Sequence, residues 1–184
     1  MLLAPEAALA MDVHGHTESA VLVPLYEASG GDVHAVFTRR RHDLRRHPGE
    51  ISFPGGRRDD REELERTALR EAHEEIGLDP AAVDVVGALA PVGTFVTGYA
   101  IYPFVGVLEA PPEWVVADTE VAEVLELPLE TLRAAYAERR LVRRGIPFHT
   151  PTYEVEGNLI WGATARIVAD LLRRVPPSPR ARPR

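Results

Sequence analysis

The hydrophobic and polar positions divide this chain into short β segments separated by a few helices. Ala20 to Tyr26 and Val33 to Arg39 are rich in Val and Leu and read as strands. Ser29-Gly30-Gly31-Asp32 between them reads as a hairpin turn. Glu50 to Phe53 is a short strand ending at Pro54-Gly55-Gly56. From Arg61 to Ile76 the pattern becomes helical: Asp60 with Glu63 resembles a capping box, and Gly77 and Pro80 supply the stop. Val83 to Val96 and Ile101 to Leu108 are Val-rich strand candidates. Pro128 to Arg140 reads as a helix, and Phe148 to Val155 with Asn158 to Trp161 as a β pair. Ala163 to Arg174 is an amphipathic helix, with Ile167/Leu171 and Val168/Leu172 at i,i+4. Residues 1–12 read as a short helical arm. Arg173 to Arg184, with five Arg, four Pro and no acid, reads as a disordered tail. No internal repeat is present, and strands and helices mix without strict βαβ alternation. The fold class predicted is α/β, a mixed sheet flanked by helices.

Composition narrows the chemistry. At 184 residues the chain suits a single domain, with a core expected over about 18–174. It has no Cys, which removes disulfides, thiolate metal sites and cysteine nucleophiles. All 21 basic residues are Arg, which removes Schiff-base chemistry and a Walker A lysine. A net charge of -7 argues against a nucleic-acid binder. No apolar run approaches the ~20 residues of a membrane span, and Met1 to Met11 is too short for a signal peptide. A cytoplasmic location, with no membrane partner, is the expectation; the sequence leaves monomer or homodimer open.

The charge is uneven. Arg39 to Arg61 holds eight Arg against four acids, whereas Glu62 to Glu75 holds six Glu against two Arg. A basic loop beside an acidic helix suits a metal-bound anionic substrate: guanidinium groups meet phosphate oxygens while carboxylates hold the cation. It equally describes a solvated surface of mixed charge.

Helical geometry sharpens this. At about 100° per residue, Glu71, Glu74 and Glu75 share an arc of roughly 100°, with Leu69, Ala72 and Ile76 on a neighbouring core stripe. Stacked like charges cost about 0.2–0.5 kcal/mol per pair, a cost that a divalent cation such as Mg2+ or Mn2+ reverses. Arg70 is placed to orient one carboxylate. Taken alone, the spacing also fits an exposed Glu-rich helix.

The context decides between them. Gly56, Glu62 and Arg70-Glu71-Ala72-His73-Glu74-Glu75-Ile76-Gly77-Leu78 fill every specified position of a 23-residue pattern that resembles the Nudix box. The resemblance implies an α/β/α sandwich with a mixed sheet and a loop-helix catalytic motif. It also implies hydrolysis, dependent on Mg2+ or Mn2+, of a nucleoside diphosphate linked to another moiety. By the same resemblance Glu71, Glu74 and Glu75 are the metal ligands, with a carbonyl of Gly55 beside them. Arg70 is the orienting partner, and Glu62 the acid of the loop-helix.

Upstream, Thr38, Arg40, Arg45, Gly49, Phe53, Pro54, Gly55 and Gly56 stand in register with a signature similar to that of the coenzyme A pyrophosphatase branch. Val36 and Phe37 replace two Leu of that signature, and Arg41 replaces a small residue. Further matches lie at Thr97-Gly98, Tyr102 to Gly106, Glu120 to Val124 and Ile160 to Ala165. The implied products are 3′,5′-ADP and 4′-phosphopantetheine. Arg40, Arg45, Gly55 and Gly56 are the candidate substrate contacts. Arg40 and Arg45 have two open roles, the 3′-phosphate or the pyrophosphate, and the 3′-phosphate is the expectation. The Nudix resemblance implies a further Glu from a distal loop, as metal ligand or general base; Glu120 is the candidate and Glu123 the competitor, and either also reads as a plain surface acid. Two alternatives stand beside this reading: a Nudix enzyme for another nucleotide such as ADP-ribose, and a catalytically silent ligand sensor. The seven His show no zinc spacing, and Trp161 with Ile160 reads as core packing.

Overall fold

The computed structural model describes residues 1–43, 49–95, 97–117, 119–143 and 145–177. Within these the chain runs α1 (Pro5–Leu9), β1 (Thr17–Glu27), β2 (Val33–Arg40), β3 (Ile51–Ser52), β4 (Gly55–Arg57), α2 (Leu64–Ile76) and a 3-10 turn (Pro80–Ala82). It continues with β5 (Asp84–Ala88), β6 (Val92–Gly93), β7 (Tyr99–Leu108), β8 (Val121–Pro128), α3 (Leu129–Ala134), β9 (Tyr136–Arg143), β10 (Ile146–Val155), β11 (Asn158–Ile160) and α4 (Gly162–Arg174). The expected tail lies outside the described residues from 178 onward.

The main sheet has the order β3-β2-β1-β7-β5, with β4 added to β1, β6 to β7 and β8 to β2. β1 and β7 are parallel over ten residue pairs, and the other pairings in the sheet are antiparallel. The sheet is therefore mixed, and both faces are covered. On one face α2 packs Ala68, Ala72 and Ile76 against Ala20, Leu22, Val36 and Phe104. On the other, α4 and a second antiparallel sheet of β9, β10 and β11 close over Phe37, Phe53 and Val105 with Ile167, Leu171 and Tyr153. Each such buried aliphatic or aromatic side chain contributes about 1.5–3 kcal/mol, so the two layers fix where the α2 face points. This is the α/β class the pattern predicted.

Three boundaries differ from the sequence reading. The expected helix over 128–140 stops at Ala134, and Tyr136 to Arg143 becomes a strand paired with β10 over eight residues. The Arg and Glu there favour helix locally, but pairing and the Arg139–Glu154 contact (2.6 Å) outweigh that preference. The expected strand over 83–96 breaks into β5 and β6, because Pro91 has no N–H to give a ladder. The β8 strand was not expected: its burial does not alternate cleanly, and pairing with β2 defines it.

Asp170 closes the break at Ala90-Pro91. It is 8% exposed and accepts from the Ala90 amide (3.0 Å) and Arg174 Nε (2.8 Å). Burial alone would raise its pKa, but these donors and Arg173 hold it below the ordinary value. Asp170→Asn loses charge on a buried hydrogen-bonded group and is expected to cost about 1–3 kcal/mol, or roughly 2–4 °C of Tm per kcal/mol. Thermal unfolding checks this; an unchanged Tm would show that Asp170 does not tie α4 to the sheet.

Candidate active site

The site begins with how α2 starts. Its first residue is Leu64, preceded by Arg61 in the left-handed region (φ 61°) and by Glu63, whose side chain makes no cap hydrogen bond. The expected capping box of Asp60 and Glu63, and the helix start at Arg61, are therefore corrected. Glu62 turns inward instead. It accepts from Thr67 Oγ1 (2.8 Å) and from Arg70 Nε (3.1 Å) and Nη2 (3.1 Å). The Arg70 guanidinium holds the Glu62 carboxyl below its ordinary pKa. Arg70 also donates to Glu71 Oε1 (2.9 Å), Glu74 Oε2 (3.2 Å) and the Arg57 carbonyl (3.2 Å). One planar group thus joins the 57–62 loop to three glutamates.

Gly55 and Gly56 bring β4 against this face. The Gly55 amide donates to Glu75 Oε2 (3.4 Å). A Cβ at Gly55 would stand 2.4 Å from the Ala20 carbonyl oxygen, and one at Gly56 would stand 2.4 Å from the Glu71 carboxylate. Gly55 is closed to a side chain by the β1 backbone, and a side chain at Gly56 would displace the Glu71 carboxylate. At its other end α2 stops at Gly77, in the left-handed region (φ 69°). Its last carbonyls accept from the next loop: Val115 N to Ile76 O (3.1 Å) and Ala117 N to Glu75 O (2.9 Å).

That loop leads to Glu120, which stands at the tip of β2. The Arg41 amide donates to the Glu120 carbonyl (2.9 Å), and Arg40 Nη2 meets Glu120 Oε2 at 3.3 Å. Arg40 Nε, like Arg39 Nε, is buried with no hydrogen-bond partner. Glu123, the competitor, forms its ion pair instead with Arg39 Nε (2.5 Å). Arg45 lies outside the described residues.

The electrostatics follow from crowding. Burial raises the Glu75 carboxyl to about 8, helped by the charges of Glu71 and Glu120 and opposed by the Gly55 amide and Arg40. Burial also raises Glu71, against the pull of Arg70. Two half-buried carboxylates whose ionised forms oppose each other offer hard oxygen donors, the set that Mg2+ or Mn2+ takes. Glu74, by contrast, is 56% exposed in its side chain and held by Arg70. Among the described residues no three His, Asp or Glu side chains converge into a ligand cage. The three expected ligands differ in exposure: Glu71 and Glu75 lie against β4, Glu74 is at the rim, and Arg70 Nη1 bridges Glu71 (2.9 Å) and Glu74 (3.2 Å).

The comparisons bear on a site of this shape. A family model described as the NUDIX domain matches residues 16–145. The chain belongs to the Nudix family. It is 35% identical to the uncharacterized Nudix hydrolase NudL of Enterobacter sp. (strain 638), over 95% of this chain and 90% of that one. Against NudL of Cronobacter sakazakii (strain ATCC BAA-894) the identity is 37% over 88% and 84%. Among solved structures, a MutT/nudix family protein from Enterococcus faecalis superposes with TM-score 0.59 at 13% identity, over 89% of this chain and 63% of that one. The NUDIX domain of Shewanella oneidensis NrtR, in a structure with ADP ribose, gives 0.53 at 17% over 70% and 85%. At such identities the structures show the Nudix fold. Among the described residues no helix is long and apolar enough to cross a membrane.

In this Nudix chain the sequence located Arg70, Glu71, Glu74, Glu75, Gly55, Gly56, Arg40 and Glu120, and the structure gathers them around α2, β4 and the tip of β2. The reading did not foresee Thr67 as a partner of Glu62 or the Arg57 carbonyl as a partner of Arg70. A hydroxyl five residues from Glu62 carries no spacing signal, and a carbonyl carries none at all.

A carboxyl held near 8 rather than 4.5 stays protonated in the folded chain where the unfolded chain has ionised. Its contribution to stability is therefore present at low pH and is lost as pH rises from about 4.5 to about 8. The Tm of metal-free protein is expected to fall over that window. Glu75→Gln should flatten the fall, and added Mg2+ or Mn2+ should raise Tm more at the alkaline end. A Glu75→Gln profile as steep as wild type would place the effect elsewhere.

Proposed function

We propose that this Nudix protein hydrolyses the diphosphate linkage of coenzyme A to 3′,5′-ADP and 4′-phosphopantetheine. What carries the reading beyond the family is the register of Thr38, Arg40, Gly49, Phe53, Pro54, Gly55 and Gly56 with the coenzyme A pyrophosphatase signature. The placement of Arg40 supports it. Its buried Nε lacks an acceptor beside the Glu75 and Glu120 carboxylates, and a phosphate oxygen would supply that acceptor.

Glu71, Glu74 and Glu75 would hold Mg2+ or Mn2+ through the carboxylate oxygens that Arg70 leaves open. Bound there, the cation neutralises phosphate charge and lowers the pKa of a bound water. The chain's own residues do the rest. Arg40 orients the diphosphate, and Gly55 and Gly56 hold the β4 backbone against β1 and the Glu71 carboxylate beside it. Glu120 takes the proton of the attacking water as the new P–O bond forms, and the bridging P–O bond breaks onto the departing phosphate. Because Arg40 lies against these carboxylates, its role in this reading is at the diphosphate rather than at the 3′-phosphate. A second substrate, ADP-ribose, is favoured by the fold likeness to the NrtR domain alone.

Incubating the protein with coenzyme A, dephospho-coenzyme A and ADP-ribose, with product identification, tests the choice; a preference for ADP-ribose would replace the coenzyme A reading. Glu75→Gln should lower activity at least ~100-fold, the scale for a key electrostatic group, and EDTA should abolish it. Activity that persists in EDTA refutes the metal assignment.

Glu120→Gln should lower kcat far more than it weakens metal binding. If Glu123→Gln is the damaging change instead, the base lies three residues on. Arg40→Ala should impair coenzyme A and dephospho-coenzyme A alike, mainly in kcat. A loss confined to coenzyme A would return Arg40 to the 3′-phosphate.

A further inference from the structure

Arg39 and Arg40 are consecutive on β2, so their side chains leave opposite faces of the sheet. The neighbours confirm the alternation. Ala35 and Phe37 belong to the core under α4, while Val36 belongs to the core under α2. Arg40 accordingly meets Glu120 on the α2 side. Arg39 lies on the other side, where it lines a cavity of about 410 Å3 together with Ile51 of β3 and Asn158, Leu159 and Trp161 of the β10–β11 hairpin and its exit. Glu50, and Gly49 and Gly157 without side chains, complete the wall. The volume falls in the ~300–1,000 Å3 range of small-molecule sites.

Trp161, expected as core, is half-buried, whereas its neighbour Ile160 is fully buried. The Trp161 ring packs near Phe148 (centroids 6.3 Å apart) and lines the cavity. The charge of Arg39 is matched by Glu123, and its Nη2 donates to Asn158 Oδ1. That bond fixes the Asn158 amide with its nitrogen as the remaining donor. The cavity therefore combines an aromatic platform, aliphatic walls, an amide donor and the acidic Glu50, beside a guanidinium paired with Glu123. Such a lining suits a flat, uncharged heterocycle with ring acceptors and has no surplus positive charge for a phosphate.

We infer that this cavity is a nucleobase subsite: Trp161 stacks a purine ring whose nitrogens accept from Asn158. The inference rests on the diphosphate reading only in placing the phosphates at Arg40. From there the nucleoside reaches the cavity by passing around the tip of β2 to the opposite face of the sheet. The base, not the pantetheine arm, is the part of the substrate that this face selects.

Trp114→Phe leaves Trp161 as the sole tryptophan of the two in the chain, so its fluorescence reports the cavity directly. Adenosine 5′-monophosphate, with Mg2+ present, should quench it saturably, and 4′-phosphopantetheine should not. By calorimetry Trp161→Leu should weaken adenosine 5′-monophosphate on the order of tenfold, within the 1–3 kcal/mol of one stacked base, while Trp161→Phe should retain most of the affinity. Quenching by 4′-phosphopantetheine as strong as by the nucleotide overturns the inference. So does the absence of any quenching, or wild-type nucleotide affinity in Trp161→Leu with native circular dichroism. If Trp161→Leu does not fold, the quenching and Trp161→Phe decide. Nucleotide quenching without coenzyme A hydrolysis would leave the subsite standing and remove the coenzyme A reading. Hydrolysis without quenching would do the reverse.

Discussion

The arrangement turns on the repulsion among carboxylates along α2. Glu71, Glu74 and Glu75 share a helix face, and Glu120 is brought to them from another loop. No stable chain leaves four such groups without compensation, and here it comes in two forms. Arg70 spreads one guanidinium over Glu62, Glu71 and Glu74 and onto the Arg57 carbonyl. Glu75 receives less, a backbone amide at 3.4 Å and the more distant charge of Arg40. The uncompensated remainder falls on Glu75, whose carboxyl is pushed up by burial and by the charges of Glu71 and Glu120.

The second constraint is steric. Gly55 and Gly56 bring the β4 backbone within contact of β1 on one side and the Glu71 carboxylate on the other. Gly77 lets the Val115 segment lie against the end of α2, which carries the loop toward Glu120. Three residues without side chains therefore set the distances between helix, strand and loop. These are packing requirements in elements far apart in sequence, and the sheet holds them together through the ten-residue β1–β7 pairing.

The site was legible in sequence to the extent that it is local. Arg70, Glu71, Glu74 and Glu75 lie within six residues on one helix, and the helical period alone groups them. Gly55 and Gly56 stood out through their register with the same motif. Glu120 was marked by a match, but which of Glu120 and Glu123 stands at the carboxylates follows from strand geometry. The β8 register pairs Glu123 with Arg39, and Glu120 lies beyond that pairing, beside Arg40. Trp161 was misplaced because an Ile-Trp pair before a helix looks the same whether the ring packs inward or lines a cavity.

The sequence by itself determined the α/β class, the existence of the β1, β2 and β7 strands, the glutamate face of α2 and its stop at Gly77. Each of these depends on side chains within a few residues, whose periodicity and backbone preference act without help from the rest of the chain. Only the tertiary structure decided that Tyr136 to Arg143 is a strand and that Arg70 ties Glu62 and the Arg57 carbonyl to the glutamates of α2. It also decided that Arg39 and Arg40 serve opposite faces of one sheet. These outcomes depend on pairing and charge balance between segments up to 120 residues apart, as in the Arg39–Asn158 contact, and local propensity carries no information about them.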